Sequence, residues 1–83
     1  MKFKAEIDVM PLEALLDPQG KAVSQSMGNL GLSEITNVRI GKHIRIFVEA
    51  ASKEEAEAKI TEACKKLLVN EIMEGYTFTV TEA

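Results

Sequence analysis

The sequence predicts an α+β fold with the element order β-α-β(β)-α-β, in which two amphipathic helices pack on one face of an antiparallel sheet in a ferredoxin-like plan. Two observations predict it. Apolar residues near both ends of the chain alternate with polar ones, as in half-buried strands, whereas two interior segments repeat their apolar residues at helical spacing. At 83 residues, the chain is expected to form a single domain over 1-83. Its core would be small, and small domains often gain stability by oligomerisation.

The first strand is predicted at the start of the chain, where every second residue is apolar. These apolar residues are Phe3, Ala5, Ile7 and Val9. Pro11 ends the strand because proline cannot donate to a sheet ladder. The leucines that follow, Leu12, Leu15 and Leu16, are predicted to form a loop that packs on the core or on a partner.

The first helix is predicted over residues 18–30, opening with the motif Asp17-Pro18-Gln19-Gly20. Asp17 is a good N-cap, and Pro18 suits the first helical position, where its missing N–H costs nothing. An apolar stripe at helical spacing follows, and Gly31 is suited to the C-cap. The stripe consists of Ala22, Val23, Met27 and Leu30.

Residues 36–50 favour β-structure, and their β-branched residues at even positions constrain the turn. These are Val38, Ile40, Ile44, Ile46 and Val48. A two-residue hairpin at Gly41-Lys42 would divide them between opposite faces, so it is excluded if one face is buried. A three-residue loop from Gly41 to His43 and one long strand bent at Gly41 both keep them together, and both stay open. A long bent strand could pair with a second chain.

The second helix is predicted from the capping box that Ser52 and Glu55 form. Its apolar stripe consists of Ala56, Ile60, Ala63, Cys64, Leu67 and Leu68. Cys64 is therefore expected to be a buried, inert thiol. Gly75 turns the chain into a final strand, in which Tyr76, Phe78 and Val80 alternate with threonines.

Composition and charge exclude several classes of function. The formal net charge of −3 argues against nucleic-acid binding, and one His with one Cys cannot form a four-ligand zinc site or an internal disulfide. No apolar run approaches the length of a membrane helix, and the N-terminus lacks a signal-peptide core, so a cytoplasmic location is expected. No nucleophile–base pair or nucleotide motif is present, and catalysis by this chain alone is not expected.

The residues around Gly41 are the candidates for recognition. Gly41-Lys42 follows apolar residues but lacks the rest of a phosphate-loop pattern, which favours a simple bend. Arg39, Lys42, His43 and Arg45 could together form a basic patch for an anion or an acidic partner, or they could be ordinary charges on an exposed sheet face.

The segment from Leu16 to Val23, together with Leu30-Gly31 and the later Val38-Arg39-Ile40-Gly41-Lys42, resembles the PurS family over essentially the whole chain. These are small subunits of phosphoribosylformylglycinamidine (FGAM) synthase in purine biosynthesis. The family often has Asn-Pro where this chain has Asn70-Glu71.

The resemblance implies a non-catalytic subunit that forms a homodimer or tetramer. It would join a glutaminase subunit to a large synthetase subunit, so that ammonia passes between them, while the synthetase uses ATP and Mg and this chain binds no cofactor. We expect Arg39, Gly41, Lys42, His43 and Arg45 at interfaces, and Asp17, Pro18, Gln19 and Gly20 to have a structural role. The alternative is a ferredoxin-like regulatory domain that binds a metabolite at a subunit interface.

Overall fold

The computed structural model describes residues 1–83 and contains one sheet of three antiparallel strands in the order β2-β1-β3. The elements in chain order are β1 (Lys2–Pro11), α1 (Pro18–Asn29), β2 (Lys42–Glu49), α2 (Lys53–Ala63) and β3 (Glu74–Glu82). A π-helical stretch, Cys64–Leu68, continues α2. This confirms the predicted α+β class, the antiparallel sheet and the two helices.

The core lies between α2 and one face of the sheet, with β1 at its centre. The alternating apolar residues of β1 are all buried, and Ala5 and Ile7 have no exposed surface. From α2 and its continuation, Ala56, Ile60 and Cys64 pack against them. We call β1, β2, β3, α2 and the π-helical stretch the sheet body. The largest fully buried side chains, Ile7, Ile60, Val9 and Cys64, all lie in this layer. Because burying one isoleucine contributes about 1.5–3 kcal/mol, we expect this layer to provide most of the stability of the chain.

The start of α2 confirms the predicted capping box. The hydroxyl of Ser52 accepts a hydrogen bond from the Glu55 amide at 3.2 Å, and the Glu55 carboxylate reaches back to accept from the Ala51 amide at 3.2 Å. The predicted stripe is correct as far as Cys64. Its extension to Leu67 is wrong, because the wider π-helical turn shifts the phase of the helix and leaves Leu67 83% exposed.

The prediction that both helices pack on the sheet is wrong for α1. Its bounds agree with the sequence, but it contacts neither the strands nor α2. Residues 12–41, which we call the arm, instead project from the sheet body. The molecule therefore measures 52 × 26 × 14 Å, and its radius of gyration of 16.4 Å exceeds the roughly 12 Å of a compact chain of this length.

The second strand begins later than the β-branched pattern suggests. Residues 36–41 pair with no strand, so neither the three-residue hairpin nor a long strand bent at Gly41 is formed within one chain. At Gly41 the backbone passes so close to β1 that a Cβ atom would overlap the carbonyl oxygen of Val9. Side chains of larger size are excluded there, which explains why glycine stands between the arm and β2.

The connection before β3 is organised by Asn70. Its carbonyl oxygen accepts from the amides of Met73 and Glu74, and its side chain accepts from the Ile72 amide at 3.2 Å. The Glu74 carboxylate in turn accepts from the Asn70 amide at 2.9 Å.

No helix in the structure is long and apolar enough to cross a membrane.

Candidate functional site

Asp17 fastens the two ends of the arm to each other. One carboxylate oxygen accepts from the Gly20 amide at 3.0 Å and caps α1, while the other accepts from the Ile40 amide at 2.8 Å. These two hydrogen bonds lower the pKa of Asp17, and the one from Gly20 has the larger effect. Pro18 begins the helix, and a Cβ atom on Gly20 would overlap the carbonyl oxygen of Val38. This geometry supports the structural role predicted for the motif.

Arg39 holds the leucine-rich loop of the arm. Its two terminal nitrogens donate to the carbonyl oxygens of Leu15 at 3.2 Å and Leu12 at 2.8 Å. Its Nε lies 4.0 Å from the Asp17 carboxylate, so a charge pair joins the loop to the start of α1. Arg39 therefore directs its donors into the arm rather than toward the surface of the sheet.

The other predicted interface residues lie on or beside the sheet. His43 and Arg45 stand opposite Asp8 and Glu6 of β1, on the face that α2 does not cover. The Nδ1 of His43 is 2.7 Å from Asp8, its Nε2 contacts Glu6, and Arg45 Nε donates to Glu6 at 2.6 Å. Hydrogen bonding to His43 is the main cause that lowers the pKa of Glu6.

The four basic residues do not form one patch. Arg39 belongs to the arm, and Lys42 lies 3.9 Å from the carboxylate of Glu74 on the far strand. His43 and Arg45 each contact carboxylates of β1. Spacing along the chain could not reveal these partners, because they depend on the pairing register of β1 and β2. The interface role of Arg39, Gly41, Lys42, His43 and Arg45 stays a prediction.

The most distinctive surface is the apolar one on the arm. All ten buried apolar side chains belong to the sheet body or to Ala50 and Val69 beside it, and Gly20 is the only buried residue of the arm. Exposed apolar side chains are abundant instead: Leu16, Leu30, Leu32 and Ile35. Leu16 and Leu30 are each 71% exposed. The sequence offered one signal of this surface, the leucine loop predicted to pack on the core or on a partner.

Metal-ligating side chains do not cluster in this structure, and the one cysteine is buried. No group of three or more His, Cys, Asp or Glu side chains could hold a metal ion. Cys64 is fully buried, as predicted, and desolvation raises the pKa of its thiol, which keeps it in the unreactive neutral form.

Comparison with known proteins identifies the family. A family model described as PurS, phosphoribosylformylglycinamidine (FGAM) synthase, matches residues 4–82. The chain belongs to the PurS family. A PurS subunit of this synthase from Bacillus subtilis is 34% identical over 80 residues, covering 96% of this chain and 94% of its own. The PurS subunit from Archaeoglobus fulgidus is 36% identical over 78 residues, covering 94% and 98%.

Solved structures agree in fold as well as in sequence. PurLQS from Thermotoga maritima contains a chain that matches with a TM-score of 0.89 at 32% identity, over 98% of this chain and 99% of that one. Bacillus subtilis PurS matches with a TM-score of 0.87 at 35% identity, over 96% and 99%. Membership of the PurS family confirms the predicted function as a subunit of FGAM synthase in purine biosynthesis.

Proposed function

We propose that this chain is the non-catalytic assembly subunit of its FGAM synthase, joining the glutaminase to the ATP-dependent synthetase and supporting ammonia transfer between them. The observation that carries the proposal is the arm, which has exposed leucines and no buried apolar side chain. Apolar surface of this kind marks protein–protein interfaces. The Thermotoga maritima relative occurs in a structure of PurLQS, which supports a complex of three kinds of subunit.

A second copy of the chain is the first partner that we propose. β2 is an edge strand, and residues 36–41, which precede it, have no strand partner. An unpaired edge is a ready template for pairing with another chain. The second copy would pair along this edge and cover apolar residues of the arm, giving a homodimer or tetramer.

The larger subunits would meet the charged residues that remain outside this contact. Lys42 and Arg45 are 54% and 63% exposed and carry charges that a partner can recognise. ATP and Mg would be bound by the synthetase, and this chain would hold neither. Membership of the PurS family does not favour the alternative, a metabolite-binding regulatory domain.

The first experiment measures the mass of the chain by size exclusion with light scattering at micromolar concentration. We expect a dimer or tetramer for the wild type and a smaller species for the double variant Leu30→Ser/Leu32→Ser, which removes apolar surface of the arm. Leu67→Ser is the matched control, because Leu67 is exposed but belongs to the sheet body. Circular dichroism verifies that all three proteins are folded. A folded wild-type monomer would contradict pairing between copies.

The second experiment tests the complex itself. The glutaminase and synthetase subunits are purified with wild type, Leu30→Ser/Leu32→Ser or Leu67→Ser, with glutamine and ADP-magnesium present. We expect the double variant to recover at least about tenfold less of the partners, a loss that corresponds to about 1.4 kcal/mol. Equal recovery and equal glutamine-dependent activity with the double variant would refute the arm as the assembly surface.

A further inference from the structure

His43 has a carboxylate at each of its two ring nitrogens. Nδ1 faces Asp8 at 2.7 Å and Nε2 contacts Glu6, and both carboxylates come from β1 while the ring comes from β2. A neutral imidazole has one donor nitrogen and one acceptor nitrogen, and an ionised carboxylate only accepts. Only the imidazolium can therefore donate to both carboxylates at once.

We propose that His43 is the doubly protonated centre of a pH-sensitive clasp that joins β1 to β2. The clasp consists of His43, Glu6 and Asp8. It lies on the face of the sheet opposite α2, where the side chain of His43 is half exposed and can exchange its proton with solvent. The hydrogen bonds that His43 donates to the carboxylates raise its pKa, and the bond to Glu6 contributes more than the bond to Asp8.

The two carboxylates depend on the proton to different degrees. Glu6 also accepts from Arg45 at 2.6 Å and lies 3.9 Å from Lys4, so it keeps cationic neighbours when His43 is neutral. The carboxylate of Asp8 has no other cation and no other hydrogen bond. The strand on the other side of β1 presents only Thr77 and Thr79 there, which do not ionise. Loss of the proton leaves one N–H on the ring, so one of the two carboxylates loses its donor and one half of the clasp opens. Asp8 is the carboxylate that has no other cation to replace the imidazolium.

The direction of the pH dependence follows from linkage. The folded-state pKa of His43 is raised above the usual 6.5, so its stabilising contribution is complete below about pH 6.5 and is lost as the pH rises through the folded-state pKa. Glu6 acts in the opposite sense. Its folded-state pKa is lowered from 4.5, so its contribution is present above about pH 4.5 and is lost as the pH falls through the lowered value. Both contributions are therefore present between about pH 4.5 and about pH 6.5, and the clasp is closed in this interval.

Nuclear magnetic resonance tests the clasp directly, because His43 is the only histidine in the chain. Long-range proton–nitrogen spectra report whether each ring nitrogen carries a proton. We expect the titration midpoint of His43 to lie above 6.5 and both ring nitrogens to carry protons below that midpoint. In the variants Asp8→Asn and Glu6→Gln, we expect the titration midpoint of His43 to be lower than in the wild type. Glu34→Gln is the control, since it removes the same charge from an exposed loop residue that makes no hydrogen bond.

A stability measurement complements the titration. The melting temperature of wild type should exceed that of His43→Gln by a few degrees at about pH 6, and the difference should vanish when His43 is deprotonated. A titration midpoint of His43 at or below 6.5, or a midpoint that is unmoved in both carboxylate variants, would overturn the proposal. A melting difference between wild type and His43→Gln that is independent of pH would overturn it as well.

Discussion

The sheet body and the arm differ in how they are held together. The sheet body buries its apolar residues between β1 and α2, so it has a core of its own. The arm buries no apolar side chain and is fixed by polar contacts of Asp17, Ser24 and Arg39. Net hydrogen bonds contribute only about 0.5–1.5 kcal/mol each, so they position a segment better than they stabilise it. The sheet body is therefore held together by its own apolar core, whereas the arm leaves its apolar side chains exposed for the partner proposed above.

The largest effect should come from the core of the sheet body. Ile60→Ala removes a side chain that is 1% exposed, and the resulting cavity should lower the free energy of unfolding by about 2–5 kcal/mol. Urea denaturation measures the change. A loss below about 1 kcal/mol would mean that the sheet body does not provide the stability assigned to it.

The next effect distinguishes two glycines of α1. Gly20→Ala should destabilise the arm by about 1–3 kcal/mol, because the new methyl group would overlap the carbonyl oxygen of Val38. Gly28→Ala is the control, since nothing lies near its Cβ position and alanine is the better helix former by about 1 kcal/mol. Thermal unfolding should therefore move in opposite directions for the two variants. A shift of the same sign would refute the close approach at Gly20.

A smaller and more local effect is expected at Asp17. In Asp17→Asn one oxygen becomes an amide donor, so one of the Gly20 and Ile40 amides loses its acceptor. Hydrogen exchange at these amides should accelerate while exchange in β1 is unchanged. The folded-state pKa of Asp17 is lowered from its usual value of 3.8. The contribution of its carboxylate to stability is therefore present above about pH 3.8 and is lost as the pH falls through the lowered pKa. Equal acceleration in β1 would show that the arm and the sheet body are one cooperative unit.

The smallest effect should occur at Leu67, the exposed apolar residue of the sheet body. Leu67→Ser should change the free energy of unfolding by no more than about 0.5 kcal/mol. Light scattering should show an unchanged oligomer. A dissociated oligomer would place an interface on the sheet body and would blur the distinction between the two regions.

Patterns along the chain predicted the elements well, because each depends on local spacing. The alternation in β1, the Asp17 and Ser52 caps and the bounds of α1 all agree with the structure. The prediction that α1 packs on the sheet was wrong. An apolar stripe shows that one face of a helix is suited to burial, but it does not show which surface buries that face. The phase shift at Leu67 was equally invisible, since a π-helical turn has no spacing signature of its own.

The candidate site was only partly predictable. The parity of residues 43 and 45 placed His43 and Arg45 on one face, but their pairing with Asp8 and Glu6 depends on strand register. Arg39 was assigned to the same basic group because it is near in sequence, whereas the structure places its donors on the Leu12 and Leu15 carbonyls. Family resemblance provided the function, and the exposed arm supports the assembly role proposed above.

Hydrogen exchange followed by mass spectrometry tests the central claim that assembly partners cover the arm. The chain is measured when dilute, when concentrated, and in complex with the two larger subunits. We expect exchange to slow on assembly within residues 12–41 and along β2, and to stay the same in α2. Unchanged exchange in the arm in all three states, or slowing confined to α2 and β3, would contradict the account.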